Sequence, residues 1–369
     1  MSKMKKMDRR SFIKTSGLVA GATAATTLAA PAVAQKRVDM VIVSTWPRDF
    51  PGLGISAQRL AKRIEELTEG SIKVTYYAAG ERVGAFASFD AVASGNAQAY
   101  NAAEYYWKGK HPGFAFFTTV PFGLTYQEMD AWIKYSGGQQ LWDKLSDQFG
   151  LKAFAAGNTG VQMGGWFNKE MNTAADFKGL KMRIPGLGGD VLAKLGASPV
   201  SLPGGQIYEN LVSGAIDATE WVGPYNDYFM KFYEAAKYYY WPGFHEPGSM
   251  PALGMNKKWW TSLSKHHQAI IQAACNEENS RQMAETTANN GTYLTKLVKD
   301  HGVKLKKFSD EIYDSFGKAS AEVFAETRAH DPLTAEIYDS FASARTDIGG
   351  WTGYADAPFV QERNRVLKI

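Results

Sequence analysis

Residues 38–77 read VDMVIVSTWPRDFPGLGISAQRLAKRIEELTEGSIKVTYY, and this stretch decides the fold class. Val38 to Val43 is apolar and β-branched and ends at Ser44-Thr45-Trp46-Pro47, which predicts a buried strand. Ile55 to Leu67 carries Leu60, Ile64 and Leu67 on one helical face, and Gly70 supplies the stop. Ile72 to Tyr77 alternates as a second strand. Working outward, Phe86 to Ala93 reads as a second helix and Ala97 to Ala103 as a third strand. A β-α-β-α-β order with short links predicts an α/β layer built on a largely parallel sheet. Such sheets bind ligands beyond the carboxyl ends of their strands, which directs attention to Thr45-Trp46 and Glu104-Tyr105-Tyr106.

The middle of the chain repeats the style. Leu151 to Ala155, Gln162 to Asn168, Leu180 to Ile184 and Ile216 to Trp221 read as strands, and Asp190 to Leu195 as a helix. Two α/β units in one chain predict two lobes around a cleft. After Lys257 glycine becomes sparse and apolar residues recur at helical spacing. Lys257 to Cys275, Glu278 to His301, Asp310 to His330 and Thr334 to Arg345 are expected as successive helices.

The whole chain has 369 residues, 45% hydrophobic and 21% charged, a globular balance that excludes disorder. One cysteine, Cys275, excludes an internal disulfide and any cysteine-rich metal site. The net charge of +4 is concentrated at the N-terminus: residues 1–34 carry +5, leaving −1 for the rest. A near-neutral body argues against nucleic acid and against anionic membrane surfaces. Residues 1–34 themselves read as an address. Arg9-Arg10-Ser11-Phe12 precedes a mild apolar run from Leu18 to Ala30 and the small-x-small pattern Ala32-Val33-Ala34, the order of a twin-arginine export signal. A periplasmic mature chain beginning at Gln35 is expected. No later segment has about 18 consecutive apolar residues.

Few residues stand out for chemistry. Arg183 lies between Met182 and Ile184 at a strand end, where an unpaired guanidinium is costly. Its planar fork fits a carboxylate, of a ligand or of a structural Asp or Glu. Gly186-Leu187-Gly188-Gly189-Asp190 lacks dinucleotide-loop spacing and reads as a glycine turn before a helix. Glu220, beside Trp221 at a strand end, could ligate a hard cation, accept from a substrate hydroxyl or form a salt bridge. Gln162 is an amide in an apolar strand, able to hold a ligand or merely to satisfy backbone. Tyr105-Tyr106-Trp107 and Tyr238-Tyr239-Tyr240-Trp241 offer apolar walls with polar tips, or core. No nucleophile–base pair, zinc motif or phosphate loop is present, so no organic cofactor and no catalysis are expected.

Three segments carry a family resemblance: Gly157-Asn158-Thr159-Gly160-Val161-Gln162-Met163-Gly164-Gly165-Trp166-Phe167, Phe177-Lys178-Gly179-Leu180-Lys181-Met182-Arg183, and Gly214-Ala215-Ile216-Asp217-Ala218-Thr219-Glu220-Trp221-Val222-Gly223-Pro224-Tyr225. The chain resembles the solute-binding subunits of tripartite ATP-independent periplasmic (TRAP) transporters, over essentially its whole mature length. The Glu220-to-Tyr225 segment is similar to the branch that binds 2-oxo acids such as pyruvate or 2-hydroxy acids such as lactate.

The resemblance implies a two-lobed periplasmic binding protein fold closing on its ligand, with a helical C-terminal region. Lobe I would comprise 35–157 and parts of 251–369, lobe II 158–250. Residues 257–369 would be mostly helical and available for pairing as a homodimer. Arg183 would hold the substrate carboxylate, and Tyr105, Tyr106, Asn158 and Glu246 would line the pocket. Gln162, Glu220 and the carbonyl of Trp221 match positions that hold sodium or calcium. His245 stands where an aromatic is expected. The membrane permease subunits would be the partner. An exported enzyme acting on the same acids, or a receptor presenting its ligand to a membrane sensor, are the alternatives.

Overall fold

The computed structural model describes residues 37–369, so the export-signal reading of residues 1–34 lies outside the described residues. The strands along these residues are β1 (Val38–Ser44), β2 (Ile72–Tyr77), β3 (Ala99–Ala102), β4 (Leu151–Ala155), β5 (Gly165–Phe167), β6 (Lys181–Arg183), β7 (Ser198–Val200), β8 (Ala218–Thr219), β9 (Tyr238–Trp241), β10 (Ala252–Asn256) and β11 (Lys304–Lys307). They form two sheets, one of five strands in the order β2-β1-β3-β10-β4 and one of six in the order β11-β9-β5-β8-β6-β7. Each sheet is the floor of one lobe. The chain passes between them after β4, again before β10, and a third time between β10 and β11.

The opening of the first lobe follows the expectation closely. β1 pairs in parallel with β2 and with β3. The helix Leu53–Leu67 connects β1 to β2 and buries Leu53, Ala57, Leu60 and Ile64 on one face. Each buried Leu or Ile among them contributes about 1.5–3 kcal/mol of transfer free energy. Gly70, at φ 76°, ends the connection in the left-handed region that glycine tolerates.

The sheets are mixed, not largely parallel. β10 runs antiparallel between β3 and β4, and β5 runs antiparallel to both β8 and β9. The reversed strands stand at crossovers: β5 is the first strand after the chain leaves the first sheet, and β10 the first after it returns. β10 also owes its place to Gly254, since a Cβ there would fall 2.0 Å from the Tyr100 ring.

Other boundaries shift. The strand expected over Gln162 to Asn168 is only Gly165–Phe167, which puts Gln162 in the connecting segment. The helix expected from Asp190 begins at Gly186, so the glycine run is its first turn. The helices expected over 257–275 and 278–301 are instead a short Lys257–Ser262 and one continuous 35-residue helix, Lys265–Lys299. The break falls at Leu263-Ser264, where the Ser264 hydroxyl caps by accepting from the His267 amide. The last expected helix extends over Pro332–Tyr354, and Asp356–Leu367 adds another. Among the described residues no helix is long and apolar enough to cross a membrane.

The core is rich in aromatics. Phe117 is stacked between Trp132 and Trp142, with both centroid distances 5.3 Å. Phe244 stacks on Phe316 at 3.9 Å, fastening the helix Asp310–Arg328 to the segment that leads back to the first sheet. Such pairs add about 0.5–1.5 kcal/mol each beyond burial.

Candidate functional site

Arg183 closes β6, an inner strand of the second sheet, where it sits in register with Val200 of β7 and Thr219 of β8. Met182 and Ile184 turn into the core and leave the arginine at the strand end, 1% exposed. Its Nε donates to the Leu202 carbonyl at 3.2 Å and its Nη1 to the backbone carbonyl of Glu220 at 3.3 Å. Nη1 is also paired with the carboxylate of Glu220, which is wholly buried. Nη2 has no partner although it is buried. The guanidinium carbon lies 5.3 Å from the Trp221 ring. Burial works against this charge, but the Glu220 carboxylate, the nearby tyrosines and Glu246 outweigh it and hold the Arg183 pKa above its ordinary value.

Backbone pairing gathers the remaining groups. The Gln162 amide donates to the Glu246 carbonyl at 3.0 Å, and the Met163 amide to the Val222 carbonyl at 3.1 Å. Those two bonds set the segments around Gln162, Trp221 and Glu246 side by side. The Gln162 side chain then donates from Nε2 to Glu246 Oε2 at 2.8 Å and to the Thr159 hydroxyl at 3.0 Å. Its Oε1 is buried and has no partner. His245 Nε2 lies 3.3 Å from Glu220 Oε2, and His245 Nδ1 is likewise buried without a partner. Glu220, His245 and Glu246 each present a ligand-capable atom, all within 4.8 Å of one another. Burial first, and then repulsion from Glu220, push the Glu246 carboxyl up to about 7, against the pull of His245 and Arg183.

Tyr105 and Tyr106 come from the first lobe, on the 3₁₀ turn Glu104–Trp107 that follows β3. The Tyr105 amide donates to the Thr118 hydroxyl at 3.1 Å, which fixes the turn. Their rings meet edge to face at 4.9 Å. Burial pushes the Tyr106 phenol up to about 12 against the pull of Arg183. Trp46, from the loop after β1, donates to Asn101 Oδ1 at 2.7 Å and meets Trp221 edge-on at 6.3 Å. A narrow cavity with about 10 Å³ of room lies among Trp46, Leu53, Tyr105, Tyr106, Gln162 and Trp221. It is walled from both lobes, so even a three-carbon acid enters only when lobes or side chains part.

The structure therefore brings together Arg183, Gln162, Tyr105, Tyr106, Glu220, Trp221 and Glu246, drawn from positions up to about 140 residues apart in sequence. Asn158 is buried nearby, but its Oδ1 accepts from the Gly160 amide at 2.8 Å and serves the turn. Glu104 points away from the site. Tyr100 donates to its Oε1 at 2.5 Å and Trp142 to its Oε2 at 2.7 Å, so it ties β3 to the helix Gly138–Gln148. Sequence reasoning missed Asp227. It accepts from Trp166 Nε1 at 3.0 Å, the Tyr239 hydroxyl at 2.7 Å and the Val222 amide at 3.0 Å. That places a buried carboxylate directly behind the Glu220-Trp221-Val222 segment. The Asp within Pro224-Tyr225-Asn226-Asp227 carried no pattern that would have singled it out.

Chemically, one guanidinium faces two buried carboxylates, an orphaned amide oxygen and a histidine. The unpartnered Gln162 Oε1, on an amide bonded to Glu246, is an oxygen donor suited to a hard cation, and the unpartnered Arg183 Nη2 is a free donor for an anion.

Residues 42–331 match the family described as bacterial extracellular solute-binding protein, family 7. A monocarboxylate 2-oxoacid-binding periplasmic protein from a Nostoc species is 39% identical over 350 residues, 94% of this chain and 96% of the relative. The solved TRAP periplasmic solute-binding protein from Pseudoalteromonas atlantica, with bound sodium and pyruvate, is 39% identical with a TM-score of 0.86, covering 88% of this chain and 99% of that one. The one from Colwellia psychrerythraea, with bound calcium and pyruvate, is 40% identical with a TM-score of 0.86, covering 89% and 100%.

Proposed function

This chain belongs to the bacterial extracellular solute-binding protein family 7, and from that premise we propose that it captures a 2-oxo or 2-hydroxy monocarboxylate outside the cytoplasm and delivers it to a TRAP membrane permease. The observation that carries the reading is the buried set of Arg183, Glu220, Gln162 and Glu246 at the junction of the lobes. Pyruvate bound with sodium or calcium in two relatives of about 40% identity supports it.

In this reading Arg183 holds the ligand carboxylate through the donor it has to spare. Gln162 Oε1, Glu220 and the Trp221 carbonyl hold one sodium or calcium ion. Such an ion would supply positive charge to offset the buried carboxylates and the ligand's own carboxylate. Tyr105 and Tyr106 arrive from the first lobe and exclude water, which strengthens each charge-assisted bond. Because Arg183 and Glu220 come from one lobe and the tyrosines from the other, ligand contacts with both favour the closed form. The ligand is released unchanged, and the site binds without transforming.

Pairing through the C-terminal helices is part of the same proposal. Trp351, Tyr354, Phe359, Val366 and Leu367 are all more than 60% exposed, and the helix Asp356–Leu367 buries none of its residues. Such a patch suits a second copy.

A thermal-melt screen of protein refolded free of carried ligand tests the reading. Pyruvate or lactate with sodium or calcium should raise the midpoint by several degrees, a ligand at about a thousand times its dissociation constant adding roughly 4 kcal/mol. Shifts confined to dicarboxylates or sugar acids would overturn the ligand class.

A further inference from the structure

The Trp221 carbonyl lies in a segment whose neighbouring carbonyls are taken. On one side the Glu220 carbonyl accepts from the Thr219 hydroxyl at 2.9 Å and from Arg183 Nη1 at 3.3 Å. On the other the Val222 carbonyl accepts from the Met163 amide at 3.1 Å. Among the described residues no donor reaches the Trp221 carbonyl between them. Trp221 and Val222 both line the narrow cavity.

Asp227 controls the peptide that carries this oxygen. The Trp221 C=O and the Val222 N–H belong to one peptide unit, and that unit is trans. In a planar trans peptide the N–H and the C=O point in opposite directions. The Val222 N–H donates to Asp227 Oδ1 at 3.0 Å, so the Trp221 carbonyl is turned away from Asp227. Asp227 itself is 1% exposed and stands behind the cavity wall.

The aspartate is fixed from two directions. Pro224 opens the helix Pro224–Met230, and its first turn closes with the Asp227 amide donating to the Gly223 carbonyl at 2.9 Å, which brings residue 227 back toward residue 222. Oδ2 accepts from Trp166 and Tyr239, register partners on β5 and β9 whose rings stack at 4.0 Å. Those two donors would account for a buried carboxylate in the sheet. The third bond, to Val222, is the one that reaches the cavity wall. The Trp221 ring is held separately: a Cβ on Gly204 would sit 2.4 Å from it, and the Arg183 guanidinium lies 5.3 Å from its centroid. The peptide can therefore be released without releasing the ring.

Resting on the cation reading above, we infer that Asp227 is a positioning residue for the cation: by holding the Val222 amide it sets the direction of the Trp221 carbonyl, the backbone oxygen of the ligand set. An oxygen ligand that is already aimed needs no reordering when a cation arrives, and partners that fix ligands in this way are worth about 10–100-fold in metal affinity.

Two variants separate this role from packing. In Asp227→Asn one oxygen faces three donors. It goes to Trp166 and Tyr239, two against one, and turns the amide nitrogen toward the Val222 N–H, which frees the peptide. Tyr239→Phe takes one bond from the same carboxylate and leaves the Val222 amide held. Each is measured as the full refolded chain, by calcium titration at saturating pyruvate, pyruvate titration in chelator, and urea unfolding. Asp227→Asn should weaken calcium about tenfold or more and leave pyruvate in chelator within about twofold of the parent. Tyr239→Phe should lose a similar amount of urea stability and keep calcium within about twofold. Where Asp227→Asn does not fold, Asp227→Glu keeps two acceptor oxygens, displaces them by one methylene and should show the same selective loss of calcium. Unchanged calcium affinity in the Asp227 variant, or an equal loss in Tyr239→Phe, overturns the positioning role. Parent protein whose pyruvate affinity ignores calcium, sodium and chelator overturns the cation reading, and this inference falls with it.

Discussion

Replacing Arg183 with methionine keeps an unbranched stem about as far as Nε and removes the rest of the guanidinium with its charge. Two separate effects follow from the geometry. Glu220 is wholly buried and Arg183 is its guanidinium partner, so the carboxylate is left with only His245 facing it, beside a second carboxylate, Glu246. Breaking a buried pair from one side costs about 3–5 kcal/mol of folding stability. The ligand loses its guanidinium, whose Nη2 is an unpartnered donor at the site. A charge-assisted hydrogen bond is worth about 1.5–3 kcal/mol net, so two of them amount to about 3–6 kcal/mol and to roughly 10²–10⁴ in the dissociation constant. Urea unfolding gives the first number and calorimetry with pyruvate and calcium gives the second. The double variant Arg183→Met with Glu220→Gln removes the stranded charge and should recover most of the stability. Binding by folded Arg183→Met within about threefold of the parent would refute the assignment of the carboxylate to this arginine, and an undiminished unfolding midpoint would refute the buried pair.

Three further outcomes are expected. Gln162→Leu removes the orphaned oxygen and the bond to Glu246, and should weaken calcium-dependent pyruvate binding about 10–100-fold while leaving the fold intact; unchanged affinity would remove Gln162 from the site. Burial raises the Glu104 carboxyl from 4.5 to about 7, so the folded state holds a proton that the unfolded chain has lost; the resulting stability, on the order of 3 kcal/mol, is complete below pH 4.5 and disappears as the pH rises through 7. Urea midpoints of Glu104→Gln should therefore fall less steeply between about pH 5 and 8 than those of the parent, and identical slopes would contradict the buried acid. Trp351→Asp combined with Phe359→Asp should convert a dimer to a monomer in sedimentation velocity with pyruvate affinity unchanged; a parent that already sediments as a monomer would dismiss the C-terminal interface.

The parts of this fold that could be read from sequence are those where one hydrophobic period dominates. β1, the helix Leu53–Leu67 and β2 each bury one clear face, and their boundaries moved by no more than two residues. Strands that departed from such patterns were missed. β10 is buried on both faces and holds a glycine because Tyr100 needs the space. β11 is mostly lysine, and β9 is an aromatic run whose alternation is lost because Tyr239 and Tyr240 are both buried. The direction of β10 followed from a crossover between lobes, which local sequence does not encode.

The site was legible where residues break the local pattern. Arg183 among apolar neighbours and Glu220 at the end of an apolar strand are such breaks, and they turned out to be paired with each other. Glu104 broke the pattern equally well, yet its partners Tyr100 and Trp142 make it structural. Asp227 was invisible because its three donors come from Trp166, Tyr239 and Val222, each on a different segment.

The central claim is that one cation and Arg183 together hold a 2-oxo acid, so the two ligands must be thermodynamically coupled. Titrating refolded protein with pyruvate at rising fixed calcium, and with calcium at rising fixed pyruvate, measures that coupling directly. The account predicts that each ligand tightens the other by the same factor, on the order of tenfold or more, because the linkage is reciprocal. Pyruvate affinity that is identical in calcium, sodium and chelator would contradict it.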